Sequence, residues 1–218
     1  MHMIKSAVLL LTLLFTTVLS ASAGDAQAAN DTLLKATSPF EDMVKYSLDR
    51  KEAKLAKALA TANSQVEAIR GALPAEGKSR FDTLFLTLQK SATATNHYAI
   101  AKASFEIFHL LIENLTNEGL KIPIEVSWLD YAGFKLHVLA SAPKKDWASM
   151  DSTIEDATKW WEAIKMKVAE KNLRYAMDSD IQGLRQSIKS KNLPMLYFAA
   201  QMDLDLVDLL ENHFEGKK

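Results

Sequence analysis

Glu106 and His109, with Glu113 one turn further on, are the residues of this chain best spaced for chemistry. On a helix of 3.6 residues per turn, positions i, i+3 and i+7 share one face. Two carboxylates and an imidazole on such a face form a donor set for a divalent cation, and in four-helix bundles an E-x-x-H pair projects inward to hold iron or manganese. A symmetric two-metal site needs a second such motif. At an offset of 99 the matching positions hold Asp205, Asp208 and Asn212, so the histidine and one carboxylate are missing. The sequence therefore offers at most one divalent ion, at Glu106, His109 and Glu113. A competing reading uses the same residues. Lys102, Glu106, His109 and Glu113 form the polar stripe of an otherwise apolar helix, and Gln201, Asp205, Asp208 and Asn212 form its counterpart, as on a solvated face. Lys102 and Glu106 are also spaced as an ordinary i,i+4 ion pair.

Other chemistry is thinner. Cys is absent, which excludes thiolate metal sites, covalent haem attachment and cysteine nucleophiles. No G-x-S-x-G, H-E-x-x-H or phosphate-binding glycine loop occurs, so a non-catalytic protein is expected. Non-covalent haem would need an axial histidine. Met43, Met195 and Met202 beside His97 or His137 supply the residue types, but no spacing selects them, and Met in helical cores serves as filler. Trp128, Tyr131, Trp147, Trp160, Trp161 and Tyr175 cluster in the second half. Trp147 and Trp161 lie on an apolar seam. Trp160 is one position off it, where the first half has Gln65. It marks either a ligand groove or partner surface, or a tryptophan at the edge of the core.

The elements that must position these residues read as helices throughout. Ser38-Pro39-Phe40-Glu41 has the form of a helix start. Leu55, Leu59, Ala62, Val66, Ile69 and Leu73 step by four and three, as do Trp147, Met150, Ile154, Ala157, Trp161, Ile164 and Val168. Phe81, Phe85 and Leu88 mark a third helix, and an apolar helix follows from about His97 to Leu115. Breaks fall at Pro74, Lys121 to Glu125, Pro143 and Asn192-Leu193-Pro194, with Asp146 capping the long helix of the second half.

The two seams superpose at an offset of 95, the next helices at 96, the last at 99 and the first at 91, and the offset changes only at breaks. The expected fold is all-α, a duplicated antiparallel helical bundle of two pseudo-symmetric halves with about four helices each. Residues 1–23 are expected as a signal peptide, 24–37 as a linker, 38–120 as the first repeat and 121–218 as the second, the two packed as one unit.

The leader rests on Lys5, the apolar run Ala7 to Leu19 and small Ala21-Ser22-Ala23 before Gly24. That run spans roughly 20 Å as a helix, short of a ~30 Å hydrocarbon core. The mature chain is expected in the periplasm or outside the cell and free of membrane. The charge is balanced, with 26 Lys plus Arg against 27 Asp plus Glu, and gives no reason to expect a nucleic-acid partner. A protein or small-ligand partner of unknown identity is expected, with no cofactor beyond the divalent ion and haem alternatives already named.

Overall fold

A computed structural model describes the backbone of residues 3–217 and the side chains of residues 24–217. The side chains of the expected leader, residues 1–23, lie outside the described residues. The chain forms α1 (Met3–Leu48), α2 (Glu52–Ala72), α3 (Ala75–Thr93), α4 (His97–Glu113), α5 (Ile124–Ser141), α6 (Trp147–Ile164), α7 (Lys171–Lys189) and α8 (Leu193–Glu215), with a short 3-10 turn at Lys165–Lys167. There is no strand among the described residues, and no described helix is long and apolar enough to cross a membrane.

Most loops are of two to six residues, so helices that follow one another run antiparallel. In the first half α1 packs on α2 and α4, and α3 packs on α4. In the second, α5 packs on α6 and α8, and α7 packs on both α6 and α8. The halves meet where α5 rests on α4 and α1. Tyr131, Phe134 and Val138 of α5 belong to the apolar core of the first half, whereas Val126, Leu129, Ala132, Leu136 and Ala140 enter the cores of the second.

Residues 24–37, expected as a linker, are helical and continuous with the next element. Ser38 and Pro39 satisfy local rules for a helix start, yet Pro39 lies inside α1. The reason is the apolar spacing. Leu33, Ala36, Phe40, Met43 and Val44 are all buried and step by three and four through the proline. Burying that seam outweighs the single hydrogen bond that Pro39 cannot donate. Buried Asn30 anchors the segment. Its Nδ2 donates to the carbonyls of Thr116 (2.8 Å) and Glu118 (2.9 Å), and its Oδ1 accepts from the Thr116 N–H (2.9 Å).

The long seams pack as their spacing requires. Leu55, Ala62, Ile69 and Leu73 are buried in the first half, and Met150, Ile154, Ala157, Trp161, Ile164 and Val168 in the second. Asp146 caps α6 by accepting from the Ser149 N–H at 3.0 Å, as expected from its position. Asp49-Arg50-Lys51-Glu52 has the spacing of a capping box, but none forms. Lys51 is the N-cap residue without a side-chain bond, and Asp49 pairs with Lys51.

Several helix ends use a device that composition does not reveal. Arg50, Thr95 and Lys191 adopt left-handed φ values of 54°, 51° and 51°. After Thr95, the Asn96 N–H reaches the Ser91 carbonyl at 3.0 Å, and after Lys191 the Asn192 N–H reaches Ser187 at 2.9 Å, closing Schellman turns. Asn96 and Asn192 then cap α4 and α8 by accepting from Ala99 and Met195 N–H groups, each at 3.1 Å. L-residues with a Cβ are strained in this conformation.

Two outcomes follow for urea denaturation of the purified chain. Lys191→Gly is expected to raise unfolding stability by about 0.5–1 kcal/mol, because glycine takes the left-handed turn without strain. Asn30→Ala is expected to lower it by about 1–3 kcal/mol by leaving the Thr116 and Glu118 groups unpaired. An unchanged Asn30→Ala midpoint would mean that residues 24–37 do not hold the loop before α5.

Candidate functional site: an acid-lined cavity between three helices

The clearest concave site lies where α1, α5 and α8 converge. Each helix contributes one face. Glu41, Val44, Lys45, Leu48 and Asp49 come from α1, Asp130, Phe134 and His137 from α5, and Gln201, Leu204, Asp205, Asp208 and Glu211 from α8. All follow three- and four-residue steps, as one stripe of a helix must. They enclose about 210 Å³. Six of these side chains are carboxylic acids, and Lys45 is the one Lys or Arg among the lining residues.

The floor of the cavity is unfavourable for negative charge. Burial raises the pKa of Glu41 to about 7, against a lowering hydrogen bond from Thr37, and the charges of Glu211, Asp42 and Asp208 add to the rise. Asp130 is packed round by protein but keeps part of its surface open. Burial holds its pKa well above the ordinary carboxylate range, reinforced by Glu41, Glu211, Asp203 and Asp208. Glu211 is raised by burial and then by Asp208 and Glu215. Glu41, Asp130, Asp205, Asp208 and Glu211 have no cationic partner among the described ion pairs. Burial lowers the pKa of His137, which keeps the ring neutral, and its Nε2 is sealed from solvent without a hydrogen-bond partner.

Behind Asp130 stands a second acidic pair. Asp203 is 0% exposed and neither carboxyl oxygen has a partner. Asp180 of α7 is also buried, with Oδ2 unpartnered. Burial raises Asp180 to about 7 and raises Asp203 well above its ordinary value, with the Asp180 charge adding to the latter. Room for Asp203 exists because position 133 is glycine. A Cβ there would stand 2.9 Å from Asp203 Oδ2 and 2.6 Å from Leu204 Cδ2.

The residues singled out from sequence lie elsewhere. Glu106, His109 and Glu113 share the outer part of α4, but among the described residues no group of three His, Cys, Asp or Glu is placed to hold a metal ion. Glu113 is bound to Arg80 of α3, and His109 Nδ1 lies 3.7 Å from the other Glu113 oxygen. The His109 ring stacks on Tyr131, with centroids 4.8 Å apart, and meets the edge of Trp128. Burial lowers its pKa. Trp160 is half-buried and stacks on Trp128 at 5.4 Å, so it joins an aromatic group that bridges α4, α5 and α6. The α8 stripe expected as a solvated face is only partly that. Asp205 and Asp208 are exposed, yet with Gln201 they line the cavity, because α8 turns this stripe toward α1.

Glu41 and Asp130 carried no signal in the sequence as site residues, and His137 entered only as a possible haem ligand. Each is a single polar position in a helix read for its apolar seam. A polar residue on the buried side of a seam was the available sign, and Asp203, flanked by apolar Leu204, Leu206 and Val207, displays it most plainly.

The buried pair has a definite pH signature. The folded chain holds the Asp180 proton more tightly than the unfolded chain does. Its contribution to stability is therefore complete at acid pH, declines as pH rises from about 4, and is lost above about 7. The lowered pKa values of His109 and His137 act in the opposite sense, and their contribution is lost as pH falls below the ordinary histidine value. Asp180→Asn isolates the carboxyl. It is expected to raise unfolding stability at pH 8 by about 1–3 kcal/mol and to change it far less at pH 4.5. An equal change at both pH values in urea titrations would place the effect in packing instead.

Comparison of the chain with known protein families, with characterised proteins and with solved structures finds no match.

Proposed function

We propose that this chain is an exported, non-catalytic binding module built from two copies of one four-helix plan. The observation that carries the binding reading is the carboxylate-lined cavity where α1 of the first half meets α5 and α8 of the second. It combines enclosed polar groups with apolar wall, which is how small-ligand sites are made. Its only imidazole stands among acids and hydrocarbon with no hydroxyl nucleophile lining the cavity, so a binding role fits better than hydrolysis.

Export is supported by the leader-like residues 1–23 and by the exposure of the residues that follow them. Gly24 to Ala29 are exposed or half-buried, and the first buried side chain described is Asn30. Removal of residues 1–23 would keep Asn30 and the seam from Leu33 onward.

Duplication is supported by the matched helix pairings and by the matched turns at Thr95-Asn96 and Lys191-Asn192. Buried Gly77, Phe81, Phe85 and Leu88 of α3 fall on Leu173, Met177, Ile181 and Leu184 of α7 at an offset of 96. The caps favour 96 for the last helix as well, in place of 99. In that register Asp180 and Asp203 replace Leu84 and Ile107, so the acidic pair belongs to the second copy alone.

The alternative of a divalent ion at Glu106, His109 and Glu113 gains no support from the geometry, since Glu113 is committed to Arg80. The haem alternative gains none either. His97 Nε2 pairs with Glu52, and Met43 is wholly buried in the first core.

The test is made on protein recovered from the periplasm of its own host. The chain is expected to begin at Gly24, to carry a small-molecule adduct in native mass spectrometry, and to lose it in Asp208→Arg, which places a long cation at the exposed edge of the cavity. Wild-type protein without an adduct, or an adduct indifferent to Asp208→Arg, overturns the cavity reading. Stoichiometric metal that disappears in His109→Ala would establish the alternative.

A further inference from the structure

We infer that the cavity between α1, α5 and α8 takes a linear alkyl di- or polyamine, held by Glu41 and Asp130 at its floor and by Asp208 and Glu211 along α8. This rests on the binding reading of the same cavity and names its ligand class.

The acids alone would not carry the assignment, because a carboxylate cluster can simply be solvated. One enclosed group points to a ligand that brings hydrogen-bond donors. Asp130 is packed round by protein, makes no hydrogen bond, and faces the cavity. An enclosed carboxyl without a donor is costly to ionise, and an ammonium group supplies up to three N–H donors together with the opposite charge.

Shape separates an amine from a metal ion. A metal needs several oxygens converging on one point, and no such group of three occurs among the described residues. The carboxylates are instead strung along the helices. Glu41 and Asp49 are eight residues apart on α1, about 12 Å, and Asp205 and Glu211 are six apart on α8, about 9 Å. Between the charged points lie Val44, Leu48, Phe134 and Leu204. Spaced carboxyls with hydrocarbon between them match spaced ammonium groups joined by methylene runs, and the ammonium charge favours their ionised form. The Phe134 ring adds a face toward which a cation is drawn.

The experiment is calorimetric titration of the full exported chain with spermidine, with putrescine, butylamine and magnesium as comparisons at one ionic strength. Spermidine is expected to bind and to raise the melting temperature. Butylamine and magnesium are each expected to bind at least tenfold more weakly. Glu41→Gln and Asp130→Asn are each expected to weaken spermidine at least tenfold while leaving the circular dichroism unchanged. Should either variant fail to fold, Glu211→Gln, at a half-buried position, reads the same site. Absence of spermidine binding, magnesium binding of equal strength, or full affinity in the folded variants overturns the inference. A native adduct that Asp208→Arg removes, in a protein that does not bind spermidine, would leave the binding reading standing and end only the amine assignment.

Discussion

The arrangement of the second half depends on one close approach, that of α8 to α5 at Gly133. A Cβ there would stand 2.6 Å from Leu204 Cδ2 and 2.9 Å from Asp203 Oδ2, so both side chains would have to shift. That proximity sets the faces of both helices. Once Leu204 is pressed against Gly133, the next polar positions of α8, from Gln201 to Glu211, must point along the side of α5 that carries Asp130, Phe134 and His137. The cavity is the gap left when α1 is laid over that pair. A glycine in a helix interior costs roughly 0.5–1 kcal/mol relative to alanine, and here it obtains an approach that alanine would crowd.

The same approach concentrates acidic groups. Asp180, Asp203, Asp130 and Glu41 lie in succession from α7 through α8 and α5 to α1, and each feels burial before it feels its neighbours. Desolvation disfavours the ionised form, so these groups hold protons that exposed carboxyls would release. A helical core built for stability alone would place apolar residues there. The aromatic group around His109, Tyr131, Trp128 and Trp160 lies beside α5 as well, packed from α4 and α6. α5 thus joins two cores and presents different residues to each, which explains why its polar and apolar positions alternate without a single clean stripe.

Much of the architecture was legible because helices announce themselves locally. The seams of α2 and α6, the breaks at Pro74, Pro143 and Pro194, and the Asp146 cap depend on residues within one or two turns of each other. The boundary at Ser38-Pro39 misled for the same reason. Its capping pattern is local, whereas the burial that carries α1 through it comes from α2 and α4. The ends at Arg50, Thr95 and Lys191 were invisible as left-handed turns, since none is glycine and the strain is met by hydrogen bonds that close only in the folded loop. At the candidate site the sequence pointed to Glu106, His109, Glu113 and Trp160, which share spacing or rarity, and missed the cavity, whose residues come from three separated segments.

By itself the sequence determined that the chain is helical, where most helices begin and end, and which face of each long helix is apolar. These follow from periodicity and from the scarcity of Gly and Pro, properties of neighbouring residues. Only the tertiary structure decided that residues 24–37 extend a packed helix, that Glu113 is given to Arg80, and that Glu41, Asp130 and Glu211 share one cavity. Those outcomes depend on which helices meet and at what rotation, and a carboxylate on a helix does not record whether it will face water or another carboxylate.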